Sequence, residues 1–276
     1  MRADSVIGRK REAPLPGRGL SPSGLRPCTL RVHCLRRSGA LHPEPRPAGC
    51  RCRRRLCRLL CVRIFDCFEV WFMRRVFNAG IPGDTTRELL ARFQRDVAMR
   101  APDLVILWAG VNDRLYPGHT VEPAEFRANY AELLDRIRVI GAKVLIGTLP
   151  PQYKPYLFTQ FPPIAEFPET PEERLAPVNA HLRSLGVPLA DFEAVVRSRP
   201  VDEVPESYLR NLSNSGVPDG LHLTPEGAGA VARCADDAIR QYALPSARIV
   251  CFGDSLTYGY GLKRDETYPS RLAELG

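Results

Sequence analysis

An α/β three-layer sandwich around a mainly parallel sheet is the fold class this 276-residue sequence predicts, and three observations predict it. Helix-period and strand-like stretches alternate from residue 76 to the end. The strand-like stretches, DLVILWAG (103–110) above all, are apolar throughout, as strands covered on both faces must be. The Gly-rich polar turns come directly after strands. That gathers them at the carboxyl edge of the sheet, where open α/β sheets hold their ligands.

Taken in order, VFNAGIPGDTT (76–86) is a short apolar run ending in a Gly-rich turn. Asp84 is expected to cap a helix with Leu89, Leu90, Phe93 and Val97 on one face, ended by Pro102. After the strand at 103–110, a helix carries Phe126, Tyr130, Leu133, Leu134 and Ile137 inward, and Gly141 stops it. AKVLIGT (142–148) is a second buried strand. Residues 149–170, LPPQYKPYLFTQFPPIAEFPET, read as a loop too long for a plain connection, hence a lid or a substrate rim. Thr170 and Pro171 start a helix with Leu175, Val178 and Leu182 on a face and a kink expected at Pro177. VPLADF (187–192) is a short strand. Thr224 and Pro225 open a helix with Ala228, Val231, Ala235 and Ile239 inward. ARIVCF (247–252) is the last strand, and Thr267 begins a short final helix through Leu272 and Leu275.

Charge divides the chain. Residues 1–75 carry 18 of the 39 Lys+Arg and 5 of the 31 Asp+Glu, which leaves 21 basic and 26 acidic side chains for the rest. The net charge of +8 therefore belongs to the first segment, and total charge is no argument for nucleic-acid binding by the folded part. Seven of the nine cysteines also lie there, in spacings that match no C-x2-C pair, and no metal site is expected. Arg/Pro/Cys/Gly bias without periodicity suits a disordered basic tail or a passenger segment better than a small cysteine module. The chain thus divides in two: residues 1–62, expected to have no stable fold, and a domain over 63–276. The apolar stretch Leu56–Met73 contains Arg58, Arg63, Asp66 and Glu69, too many charges for an ordinary membrane span. The N-terminus shows basic residues without an apolar signal core, so the expected location is cytoplasmic.

Four turns bear chemistry. GDSL (253–256) presents Ser255 just after a buried strand, in a turn that Gly253 permits. DGLH (219–222) sets Asp219 and His222 three apart, so that a turn lets the carboxylate orient the imidazole and fix its tautomer. Asn112, in AGVND after the strand at 103–110, is a candidate oxyanion donor. Gly83 precedes a helix start, where free backbone N–H groups point outward and a glycine lets the backbone approach a substrate. Alone, each turn has a plainer explanation as a cap or a connection. Together they are the parts of an acyl-transfer site: a serine, a base with its orienter, and two oxyanion donors.

The same four stretches resemble the four sequence blocks of the SGNH hydrolases, or GDSL esterases/lipases. The resemblance covers about residues 76–276, and no G-x-S-x-G elbow of the α/β-hydrolase kind is present. It implies a flavodoxin-like SGNH hydrolase fold with a five-stranded sheet. It also implies Ser255 as nucleophile, His222 as general base and Asp219 as its orienter. The oxyanion would be held by the N–H groups of Ser255 and Gly83 and the amide of Asn112. No cofactor is implied. The family places its serine block first. Here the order is Gly83, Asn112, Asp219/His222, Ser255, which resembles a circular permutation whose old ends meet in IRQYALPSARIVCF (239–252). On that reading part of RIFDCFEVWFMRRV (63–76) supplies the strand before Asn78.

The expected function is therefore a serine esterase for short acyl esters or thioesters, with a small ester substrate as its partner. The aromatic loop Tyr153–Phe167 and Tyr258/Tyr260 are candidates to line an acyl or sugar pocket. A carbohydrate acetylesterase is the nearest alternative, and a non-catalytic binding domain on the same fold is another. A third alternative, a nucleic-acid or membrane partner held by the basic N-terminus, predicts salt-dependent binding lost on removing residues 1–60.

Overall fold

A computed structural model describes residues 74–276 of the chain. The expectations for residues 1–62, and for Leu56–Met73, lie outside the described residues. From Arg75 on, the elements are β1 (Arg75–Gly80), α1 (Thr86–Asp96), β2 (Leu104–Trp108), α2 (Val111–Leu115), α3 (Pro123–Val139), β3 (Lys143–Gly147), α4 (Lys154–Gln160) and α5 (Pro171–Ser184). They continue as β4 (Leu189–Ala190), α6 (Phe192–Arg197), α7 (Leu212–Ser215), α8 (Pro225–Gln241), β5 (Arg248–Gly253), α9 (Ser255–Tyr258) and α10 (Tyr268–Glu274).

The five strands form one sheet of order β1-β5-β2-β3-β4, and every pairing is parallel. The last strand in sequence thus lies inside the sheet, hydrogen-bonded on both sides. Its composition suits that place: Ile249 to Gly253 are all buried, as is the whole of β2. Side chains alternate across the sheet. Phe252 meets Phe93 of α1 edge-on at 6.2 Å, while Trp108 packs on Phe192 of α6 at 4.9 Å and on Tyr268 of α10 at 5.5 Å. Because Leu107 is the partner of Phe252, Trp108 points to the opposite face. Helices therefore cover both faces, as the apolar strands demand.

The register positions the site. Gly80, Gly253 and Trp108 lie in one row across β1, β5 and β2. The segments that leave this row are the Ile81–Thr86 turn, Asp254–Ser255 and Ala109–Asn112. They emerge side by side at the carboxyl edge. Gly253 has no substitute here: a Cβ would run into the Trp108 carbonyl and Thr257 Oγ1.

Most helix starts match the sequence reading. Thr170, Thr224 and Thr267 each accept a hydrogen bond from a first-turn N–H, with proline inside the first turn. Three details differ. The cap of α1 is Thr85, in a capping box with Glu88, rather than Asp84, whose carboxylate is drawn away to Arg92 at 2.5 Å. Residues 149–170 are not a plain loop: they fold as α4 and a 3-10 turn at Pro162–Glu166, because Tyr156, Leu157 and Ile164 find core to bury against. The strand expected over 187–192 pairs only at Leu189–Ala190, since Asp191 turns to cap α6. Pro177 lies within α5, which continues to Ser184. Strand β1 begins at Arg75, and the earlier part of the stretch expected to supply it lies outside the described residues. Among the described residues no helix is long and apolar enough to cross a membrane.

Candidate active site

The DGLH turn folds on itself. Asp219 Oδ1 accepts the backbone N–H of Leu221 at 3.0 Å and of His222 at 2.8 Å, which closes the turn and brings both side chains to one side. A two-stranded ribbon braces it: Arg210 N–H donates to the His222 carbonyl, Gly220 N–H donates to the Arg210 carbonyl, and Leu209 bridges Leu223. His222 Nδ1–H then donates to the Asp219 carboxylate at 3.0 Å. That leaves the Nε2 lone pair to accept from Ser255 Oγ–H, also at 3.0 Å. Both Asp219 and His222 are buried. Burial works against the Asp219 charge, but hydrogen bonds and charge from His222, with the two turn N–H groups, hold the carboxyl below its ordinary range. It stays ionised, as the partner of an imidazole that takes up a proton must.

Ser255 opens α9 directly beyond β5. Asp254 caps it, accepting Leu256 N–H at 3.0 Å. The Ser255 and Gly83 N–H groups donate no hydrogen bond among the described residues. Asn112 gives one amide hydrogen to the Asp84 carbonyl at 2.9 Å and keeps a second. Gly83 has φ 87°, a left-handed backbone that a side chain would strain. Gly83, Asn112, His222 and Ser255 line one cavity of about 390 Å³. All five residues singled out in the sequence are thus brought together: four line the cavity, and Asp219 backs His222.

Most of the remaining wall is apolar. Leu115 comes from α2, and Leu157, Phe161 and Ile164 come from the Pro-rich segment. That segment does form a rim, but through these residues and Gln160 rather than Tyr153 or Phe167. Tyr260 lines the cavity and packs on the His222 ring at 4.6 Å, whereas Tyr258 faces away from it. Two contributors carry no sequence signal. Arg210 reaches Asp219 at 3.3 Å, and His119 lines the mouth beside Tyr116. Among the described residues no three His, Cys, Asp or Glu side chains converge as a metal site requires. An arrangement of this kind can deliver a serine oxygen to a carbonyl and hold the resulting oxyanion.

The chain is similar to known proteins. The GDSL-like Lipase/Acylhydrolase family matches residues 52–230, a span that holds Gly83, Asn112, Asp219 and His222 but not Ser255. Esterase TesA of Pseudomonas aeruginosa is 39% identical over 89 residues, 32% of this chain and 43% of that protein. This chain therefore spans less than half the length of that relative. The uncharacterized lipoprotein YqeF of Bacillus subtilis is 28% identical over 176 residues, 56% of this chain and 70% of its own. Among solved structures, the lipase/acylhydrolase from Enterococcus faecalis is similar, at 25% identity and a TM-score of 0.44, over 60% of this chain and 75% of the other.

Proposed function

The chain belongs to the GDSL-like lipase/acylhydrolase family, and we propose that it is a serine esterase hydrolysing short acyl esters through an acyl-serine intermediate. One observation carries the reading: Asp219, His222 and Ser255 stand in a hydrogen-bonded line, each link 3.0 Å, ending at the wall of a cavity. Ser255 Oγ attacks the ester carbonyl carbon while its proton passes to His222 Nε2. Asp219 stabilises the imidazolium. The carbonyl oxygen becomes an oxyanion against the N–H groups of Ser255 and Gly83 and the free amide hydrogen of Asn112. Collapse expels the alcohol, which takes the proton from His222. Water then repeats the sequence on the acyl-serine, and the acid leaves.

The acyl group would lie against Leu115, Leu157, Phe161 and Ile164. A volume of about 390 Å³ is near the low end for ligand pockets, roughly 300–1,000 Å³, and supports a short chain. Tyr116 and Tyr260, 40% and 50% exposed at the mouth, favour a second reading, an acetyl ester carried on a sugar. The test is a panel of p-nitrophenyl esters of increasing chain length beside an acetylated sugar and an acyl thioester, with fluorophosphonate labelling read by mass spectrometry. Label on Ser255 and fastest turnover of the short esters are expected. No label on Ser255 and no turnover of any ester would sink the proposal.

We further infer that the element order is a circular permutation of the family's. Two observations support it: β5 lies between β1 and β2, and a Cβ placed on Gly276 falls 2.6 Å from that of Arg74. Such proximity is what a direct connection between Gly276 and Arg74 needs. A chain running 245–276 and then directly 74–244 is expected to fold and to hydrolyse esters within a fewfold of the original. A rejoined chain that does not fold would refute the connection.

A further inference from the structure

The three oxyanion donors come from three different strand ends, and something must hold those ends in common register. Arg92, on the inner face of α1, is placed to do so. It is a buried arginine with partners on every side of its guanidinium. Its Nε pairs with Asp84 Oδ2 at 2.5 Å. One terminal nitrogen donates to the Ala79 carbonyl at 2.8 Å and to Asp96 at 3.1 Å, and the other donates to the Gly253 carbonyl at 2.8 Å. Its flat face lies on the Phe252 ring at 4.5 Å.

Each partner leads to the site. The Gly253 carbonyl ends β5, just ahead of the Asp254–Ser255 turn, and also accepts Ile81 N–H at 3.1 Å. The Ala79 carbonyl is near the end of β1, ahead of Gly83. Asp84 comes directly after Gly83, and its own carbonyl accepts the Asn112 amide. One rigid planar group thus ties the Ser255 turn, the Gly83 turn and, through Asp84, the orientation of Asn112. Two carboxylates compensate its charge, as a buried cation requires. A helix anchor would need one of these bonds; a fork spanning two carbonyls and two carboxylates is work that only arginine geometry performs.

We infer that Arg92 is a positioning residue for the oxyanion-binding donors, an inference that rests on the esterase reading. It touches no substrate, so its removal acts on the transition state rather than on ester binding. Arg92→Lys keeps a cation beside Asp84 but cannot span the two carbonyls. Its kcat is expected to fall about 100-fold, the scale of losing one oxyanion donor, with KM within about threefold. Affinity for a trifluoromethyl ketone that forms a tetrahedral adduct on serine should fall in parallel with kcat. The pH of half-maximal kcat should stay where it is in the wild type, because the Asp219–His222 pair is untouched.

Asp84→Ala keeps the carbonyl that accepts the Asn112 amide but removes the carboxylate that joins it to Arg92, and leaves Arg92 bound to Asp96 and both carbonyls. It should show the same kcat-selective loss, and the double variant should lose little more than either single one. Full additivity, or wild-type kcat in folded Arg92→Lys with only a lower melting temperature, would overturn the inference. Should Arg92→Lys not fold, Asp84→Ala decides alone: a kcat loss supports the inference and an unchanged kcat overturns it. Fluorophosphonate labelling of the wild type separates the two levels. Without label on Ser255 the esterase reading fails; with label but unaffected variants, only the role of Arg92 fails.

Discussion

Ser255→Ala is expected to lower kcat for ester hydrolysis on the order of 10⁶-fold, with KM and thermal stability close to the wild type. Among the described residues the hydroxyl has one partner, His222 Nε2 at 3.0 Å, and it stands at a cavity wall rather than in packed core. Deleting it turns His222 Nε2 to the cavity, where water can replace the hydroxyl, and opens no void in the core. What remains is hydrolysis by bound water with the oxyanion donors in place, roughly 10³–10⁴ above the uncatalysed rate. Asp219→Asn should cost less, about 10⁴, because Ser255 and the donors remain while the imidazole loses its fixed tautomer and its counter-charge. Steady-state kinetics on one short ester with circular-dichroism melts would measure both. The decisive outcome is the order of the losses. If the serine variant retains a tenth of the activity, or the aspartate variant is the more damaged, proton transfer from Ser255 to a His222 held by Asp219 is wrong.

The sequence displays the fold wherever local pattern and tertiary role agree. The central strands β2 and β5 are legible because burial on both faces leaves them no polar positions. The threonine-proline helix starts are legible because capping is a local affair. The site is legible for a related reason: Asp219 and His222 meet through a three-residue turn, and each other site residue comes after a strand whose end the parallel sheet aligns. Where the reading misses, a distant partner has overruled a local preference. Asp84 is a sound N-cap by type, but Arg92 eight residues on is a stronger claimant for its carboxylate, and the cap passes to Thr85. Residues 149–170 hold six prolines, which argues for loop. Pro155 and Pro162, however, fall in the first turns of α4 and of the 3-10 segment, where proline costs nothing. Arg210 is invisible in sequence, since only the ribbon with residues 220–223 brings it beside Asp219.

Arg92 shows the same limit at the level of function. An arginine in ARFQRD reads as the polar face of an amphipathic helix. Nothing within α1 marks it for burial. It is buried because β5 returns from the far end of the chain to lie beside β1, and then Gly253 and Ala79 offer their carbonyls to one group. Ala79 is paired in register with Phe252, whose ring the guanidinium covers. A role that depends on two strands from opposite ends of the domain is set by topology rather than by local pattern.

Asp254→Asn is expected to become more stable than the wild type as pH rises from about 4 to about 7. Asp254 is 1% exposed, one carboxyl oxygen caps Leu256 N–H, and the other has no partner among the described residues. Burial, then the nearby carboxyls of Asp113 and Asp84, push its pKa from 3.8 up to about 7, against the pull of the Leu256 N–H. Between those two values the folded chain holds a proton that the unfolded chain has released, so stability falls as pH rises through this window and is level above it. The interval corresponds to on the order of 4 kcal/mol. Asparagine keeps the capping oxygen and carries no charge, so the variant escapes that loss. Near pH 4, where the carboxyl is protonated in the folded chain and still half protonated in the unfolded one, the two proteins should differ little. Urea unfolding of both proteins at intervals from pH 4 to 8 would show the wild type losing ground steadily up to about pH 7 and none beyond. A stability difference that stays constant across that range would mean the carboxyl beside the nucleophile is ionised throughout. The unpartnered oxygen would then have to be stabilised by something other than its proton.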